Sequence, residues 1–430
     1  MVWLFSPPVL FGVPLAIALL TYSIELPHTE LFWEYKTSAY TPWLYLISFS
    51  IVFVICAFYG MSLFLRRHKQ IVLKQMSLSS ARNLLVGYVV LWSIAFCCLV
   101  IILIRYCCFY GGVYEISEGI ATGKLILRKR EVMKQVVIPG ATTLVHLSPA
   151  AAVLGTSLLF YAPGRLTRLL TLISGCVFLA VLTVASWILC ERLLLLEVLF
   201  PILVIWTRKK HGLVCAATLA ALLISLVFFW YITTLTRESY FRKREFKGVQ
   251  ARLEYPFMRL MSYLSSNVGN AMYVVENPLP AQFPRYTFPM SQEFLGPGDE
   301  VTELFSSGKL NGANNTFGLA GSLFLDMGWL SLSVAAVLGA LAGALFSLYL
   351  GGSFYASLVY PAICIGLLDA YRTGTLLGSR VLLPFAALTL FYLLSRLFSR
   401  IGMKKSGAEG KVLKPSPRQS TISGVLELPR

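Results

Sequence analysis

The chain has 430 residues, 57% hydrophobic and only 13% charged, with a mean hydropathy of +0.71. Soluble globular chains carry about 25% charged residues, so this composition excludes an ordinary soluble enzyme and points to an all-α polytopic membrane protein. A formal charge of +17 raises the question of a nucleic-acid partner, which the distribution of that charge then excludes.

Apolar stretches of spanning length recur along the sequence. Ten spans are read, at about 6–26, 43–65, 84–104, 138–161, 169–189, 193–207, 213–235, 317–349, 354–371 and 381–399, the eighth with a break near Asp326–Gly328. The first, Val9–Leu26, lacks a basic leader and a small-x-small cleavage site, so a retained helix is expected rather than a signal peptide. With alternating spans and cytoplasmic termini, the cytoplasmic segments Arg66–Arg82, Arg165–Arg168, Arg208–Lys210 and the tail from Arg396 hold 18 Lys/Arg and two acids. The remaining 18 acids lie beside 19 Lys/Arg elsewhere. That asymmetry orients a membrane protein and implies no polyanion ligand. The tail 401–430 is Ser, Pro, Gly and Lys-rich and reads as disordered.

The external connections carry the polar signals. Glu25–Pro42 is acidic and aromatic. In Arg105–Gln135, Ile116, Ile120, Leu125, Ile126 and Val132 alternate with Lys124, Arg128, Lys129, Arg130 and Lys134, as in a helix lying among lipid headgroups. Simple lipid anchoring and a grip on a lipid-linked anion both fit that pattern. Cys190–Glu191–Arg192 is a tight hairpin. The connection Arg237–Thr316 swells to about 80 residues, a length that is functional or disordered in compact proteins. Its first part, Arg237–Arg259, holds seven Lys/Arg and three Glu, whereas Glu276–Lys309 holds two basic residues and five acids. Between them Met258, Met261 and Leu264 recur at helical spacing, with Arg259, Asn267 and Asn270 on other faces, so an amphipathic helix is expected.

Ionisable residues at membrane depth are costly and are candidates for function. Arg192 closes its hairpin at the membrane surface, where a guanidinium fork suits the diphosphate of a lipid; pairing with Glu191 or Glu197 is the structural alternative. Arg372 and Arg380 repeat that placement on the last external hairpin, with Asp369 beside them. His146, in TTLVHLSP, is read either as a core histidine or as a base. Asp326 is expected to cap the helix that follows it. Gly339-x-x-x-Gly343 is a small-residue packing face. The nine cysteines are scattered through apolar runs without metal-type spacing, and no Walker A, H-E-x-x-H, G-x-S-x-G or D-x-D motif occurs. No cofactor or metal is expected. The internal repeats of many secondary transporters are not visible either.

The span NTFGLAGSLFLDMGWLSLSVAAVLGALAGALFSLY resembles the late signature span of the bacterial Wzy-type O-antigen, or oligosaccharide repeat-unit, polymerases. The opening SPPVLF, the Arg192 hairpin and the one dominant loop before the signature span agree with it, and together these features cover most of residues 1–400. Trp329 stands where a second small residue is usual, and Ser331 where Gly is. The resemblance implies a metal-independent GT-C type glycosyltransferase of the bacterial inner membrane, one transmembrane domain with a periplasmic loop 236–316. Its substrates would be undecaprenyl-diphosphate-linked oligosaccharides, the growing glycan moving from its lipid diphosphate to the terminal sugar of an incoming repeat. A chain-length regulator and a flippase of the same pathway are the implied partners. Arg192 and Arg372 would hold the diphosphate, with Arg259 or Arg285 completing the grip. Asp369, His146 and Glu276 are the candidate bases. Tyr263, Asn267, Asn270 and Arg380 complete the candidate substrate contacts. An O-antigen ligase, a flippase of the same lipid-linked sugars and a non-catalytic scaffold are the alternatives.

Overall fold

The structure, a computed structural model, describes residues 2–24, 35–65, 78–122, 140–162, 164–189, 192–208, 249–288, 291–296, 298–310 and 316–409, with single positions at 138, 217, 227, 231 and 234. Regular structure among the described residues is helical throughout. After a 3-10 turn at Val2–Phe5 come α1 (Pro7–Ser23), α2 (Tyr40–Leu65), α3 (Leu78–Tyr110), α4 (Val113–Thr122), α5 (Ala141–Val145), α6 (Ser148–Tyr161), α7 (Arg165–Ile188) and α8 (Arg192–Thr207). The long connection contributes α9 (Val249–Glu276), α10 (Gln292–Leu295) and α11 (Asp299–Ser306). The chain ends with α12 (Gly318–Met327), α13 (Ser331–Leu350), α14 (Phe354–Asp369) and α15 (Ser379–Glu409).

Among the described residues, six stretches are long and apolar enough to cross a membrane: Tyr40–Phe64, Ala81–Tyr110, Ala141–Tyr161, Arg165–Ile188, Gly318–Leu350 and Ser379–Leu397. Three shorter apolar helices, Pro7–Ser23, Leu193–Thr207 and Phe354–Asp369, fall on three further expected spans. The expected span 213–235 lies outside the described residues apart from four single positions, as do Lys124–Lys134 and residues 237–248 of the basic arm Arg237–Arg259. Large apolar side chains such as Ile51, Ile55, Val86, Val90, Leu169, Ile173, Leu390 and Leu393 are exposed on the outer helices. That is the surface expected of a protein whose solvent there is lipid.

Two expected spans are broken, each for a local reason. The fourth divides into α5 and α6 because Pro149 has no N–H to give the carbonyl of Val145. The hydroxyl of Ser148 takes that carbonyl instead, at 2.5 Å, and His146 sits in the turn. The eighth divides at Gly328, whose φ of +56° is open to glycine but costly for other residues. There the hydroxyl of Ser331 donates to the Gly328 carbonyl at 2.5 Å. The buried Tyr45 hydroxyl donates to Ala320 O at 2.9 Å and lies 2.8 Å from Ser331 Oγ, which ties both sides of the break to α2.

Helices α2 and α13 run parallel in close contact. A Cβ on Gly339 would collide with the carbonyl of Phe53, one on Gly343 with that of Ala57, and one on Gly60 with that of Ala340. The expected small-residue face is thus a backbone-to-backbone contact. One core joins α1–α3, α6, α8, α9 and α12–α15, a second joins α3–α5, α7 and α8, and a small third lies beneath the long connection.

Two expectations need correcting. The last apolar stretch, Ser379–Leu397, agrees with the span expected at 381–399, but the tail is not irregular from its first residue: the helical backbone continues through Glu409, over a stretch free of proline, and residues 410–430 lie outside the described residues. Asp326 accepts backbone N–H groups, but not those of α13. Buried at the end of α12, it takes the N–H groups of Tyr286, at 2.9 Å to Oδ2, and of Thr287. The reversal at Gly328 carries the next helix away, so this carboxylate pins the long connection to the broken span.

Candidate functional site

The polar groups within the bundle converge where α14 ends and α15 begins. Asp369 closes α14, and the N–H groups of Arg372 and Thr373 bond to its carbonyl at 3.0 Å each. Its carboxylate accepts from Arg372 Nε at 2.6 Å, Arg372 Nη2 at 2.9 Å and Thr373 Oγ1 at 2.7 Å. A forked guanidinium on a carboxylate fixes orientation as well as charge. The backbone of the same segment is seated on α12: Gly318 N donates to Arg372 O at 3.1 Å and Leu319 N to Ala370 O at 2.7 Å. A side chain on Gly318, whose φ is +64°, would strike the Tyr371 carbonyl.

After a 3-10 turn at Gly374–Leu377, Arg380 enters the first turn of α15. Its Nη1 lies 2.7 Å from Glu197 Oε1, and His146 Nδ1 lies 3.1 Å from Glu197 Oε2. Glu197 is 1% exposed, in the second turn of α8, within the run RLLLLEVLF. A lone carboxylate there would be strongly destabilising, so its burial requires the two partners. Both oxygens of Glu197 are thereby engaged, from the turn between α5 and α6 on one side and from α15 on the other.

The long connection is joined to this end through α9. Asn267 and Asn270 are each 1% exposed. Thr316 Oγ1 donates to Asn267 Oδ1, and Asn270 Nδ2 donates to Thr316 O at 3.1 Å. Both amides therefore hold Thr316, just before α12. Arg259, also on α9, and Arg285, in the turn after it, are half-buried. The Arg285 carbonyl accepts from Gln292 Nε2 at 3.0 Å. Glu276, the last residue of α9, accepts from the Tyr35 hydroxyl at 2.6 Å. Partial burial, with the Glu276 charge adding to it, pushes the Tyr35 hydroxyl up to about 12, so it remains a donor at neutral pH.

The sequence-predicted residues thus form two ionic groups that meet at the segment 369–380, Asp369 with Arg372, and His146 with Arg380 through Glu197, and one structural group, Asn267 with Asn270. Arg192 opens α8, but its side chain, like that of Tyr263, lies outside the described residues. Glu197 is the member that sequence reasoning underused: a single acid in an otherwise apolar run was visible, its two partners were not. Chemically, the arrangement offers fixed guanidinium groups and an imidazole whose Nδ1 faces a carboxylate. No protein-family model, curated protein or solved structure matches the chain.

Proposed function

We propose that the protein polymerises lipid-diphosphate-linked oligosaccharide repeat units at the external face of a bacterial inner membrane, with ten spans, cytoplasmic termini and a periplasmic long connection. The observation that carries this reading is the segment 369–380. It holds two arginines at one end of an apolar bundle, each oriented by a carboxylate, and its backbone is bonded to the broken span that resembles the polymerase signature. A sugar already bonded to diphosphate is activated, so the protein's work is to align two large substrates and to stabilise the departing charge.

In this reading Arg192 and Arg372 face the diphosphate, with Arg259 or Arg285 closing over it and Arg380 beside them. The acceptor hydroxyl attacks the anomeric carbon, the bond from that carbon to the diphosphate oxygen breaks, and the diphosphate leaves with the electron pair. Of the three candidate bases, Asp369 is engaged by Arg372 and Thr373, and Glu276 by Tyr35. His146 suits the task best, because Glu197 at Nδ1 favours the tautomer whose Nε2 accepts the hydroxyl proton.

The test is glycan length in cells lacking the protein and complemented with variants. Loss of the chain should leave single repeats attached to their final acceptor. Complete absence of attached glycan would point to a ligase instead. Arg192→Ala and His146→Ala should both abolish the polymer ladder, and full ladders from both would remove the assignment of roles. A ladder kept by Arg192→Lys but lost in Arg192→Ala would assign charge rather than forked geometry to that residue.

A further inference from the structure

A separate cleft of about 500 Å³ opens between the end of α9 and the break in the eighth span. Its walls include Thr41 from the start of α2, Glu276 and Leu279 at the end of α9, and Met327, Gly328 and Trp329 at the break. The volume lies within the range of about 300–1,000 Å³ usual for small-ligand sites. Trp329 is 46% exposed and held from behind: its ring stands at 89° to that of Tyr45, centroids 5.4 Å apart, and at 79° to that of Phe324, centroids 6.3 Å apart. Among the described lining residues Glu276 is the one titratable side chain, and these include neither Lys nor Arg.

That lining selects a ligand class by its chemistry. A phosphate or diphosphate needs cations, and here it would meet a carboxylate, so the cleft is unsuited to the charged end of a lipid-linked substrate. A ring bearing hydroxyl groups on its edge and C–H groups on its face suits all of the walls. Its hydroxyls donate to Glu276 and exchange hydrogen bonds with Thr41. Its C–H face lies on the electron-rich face of the indole, and Leu279 and Met327 provide apolar contact.

We infer that this cleft binds an uncharged saccharide, with Trp329 as the stacking platform and Glu276 as the hydroxyl acceptor. Assigning that saccharide to the incoming glycan, as a specificity subsite apart from the diphosphate grip, rests on the polymerase reading. The distinctive residue is then Trp329, at the position where the resemblance leads one to expect a small side chain. Glu276 is reassigned from candidate base to binding residue, its carboxylate held by Tyr35 at 2.6 Å.

The experiment uses the purified full-length chain in lipid nanodiscs, titrated with the neutral oligosaccharide released by mild acid from the lipid-linked fraction of the source cells. Wild type should bind saturably and with little dependence on salt. Trp329→Ala should weaken binding about tenfold, or about 1.4 kcal/mol, Trp329→Phe less, and Glu276→Gln severalfold. Unfolding temperature is followed in parallel. If Trp329→Ala is poorly folded, the folded Trp329→Phe variant decides through its KM: a raised KM at unchanged kcat supports the subsite, and an unchanged KM overturns it. Absent binding, equal binding by folded Trp329→Ala, or stronger competition by tetramethylammonium than by the sugar would each overturn the proposal. A ladder that requires the chain, combined with binding indifferent to Trp329, removes the subsite and keeps the polymerase. Binding that depends on Trp329, in cells whose ladder does not require the chain, keeps the saccharide site and removes the polymerase.

Discussion

A buried charge is only as stable as the partners that surround it, and Glu197 makes this measurable. Truncating one member of a buried pair leaves the other desolvated and uncompensated, at a cost of about 3 kcal/mol or more. Glu197→Ala and Arg380→Ala should therefore each lower the unfolding temperature in micelles. The double variant should lose clearly less than the two losses added together, since the residues contact each other at 2.7 Å. Strict additivity would mean that the pair is not formed. Little of this was readable beforehand. The cost of an acid in RLLLLEVLF is local and visible in the sequence, but its partners lie 51 and 183 residues away. No spacing rule connects them; only the packing of α5, α6, α8 and α15 does. Asp326 carries the same lesson. A carboxylate before glycine implied a cap of the next helix, and the fold used it to hold a connection 40 residues upstream.

At the scale of elements the sequence was far more informative, because a run of about 20 apolar residues has one stable use in a bilayer. The break at Asp326–Gly328 and the packing face at Gly339 and Gly343 were both legible, since glycine's lack of a side chain acts locally. The division of the fourth span at His146 was equally available from Pro149, and its reading as one continuous span neglected the proline. The contact between α2 and α13 offers a direct test. Gly343→Leu must displace the Ala57 backbone rather than a movable side chain, and should cost on the order of 3 kcal/mol. Val337→Leu on the same helix, at a position 58% exposed, should leave the unfolding temperature unchanged. Equal effects from the two would show that the helices are not in backbone contact.

For the whole molecule, the helix directions make a statement about sidedness. Tyr45 meets Ser331 and Gly343 meets Ala57, so α2 and α13 cross in the same direction. Helix α6, leading away from the His146 end, delivers the chain to the start of α7 on the opposite side. Single cysteines placed at Ser38 and Ser307, in a chain without its native cysteines, should react with an impermeant maleimide from one side of the membrane. One at Arg165 should react only from the other. Labelling of Ser38 and Ser307 from opposite sides would contradict the arrangement of the bundle, whatever its chemistry.

The engagement of Glu197 also bears on how the protein is made. His146 has already emerged from the ribosome when α8 is synthesised, but Arg380 follows 183 residues later. Helix α8 therefore enters the bilayer with half of its ionic partners and waits, through the whole long connection and helices α12 to α14, for the last one. Biogenesis of this chain cannot be a simple succession of finished helices. Its interior is completed when the C-terminal helix docks, and the segment 369–380, with its arginines, is the closing piece.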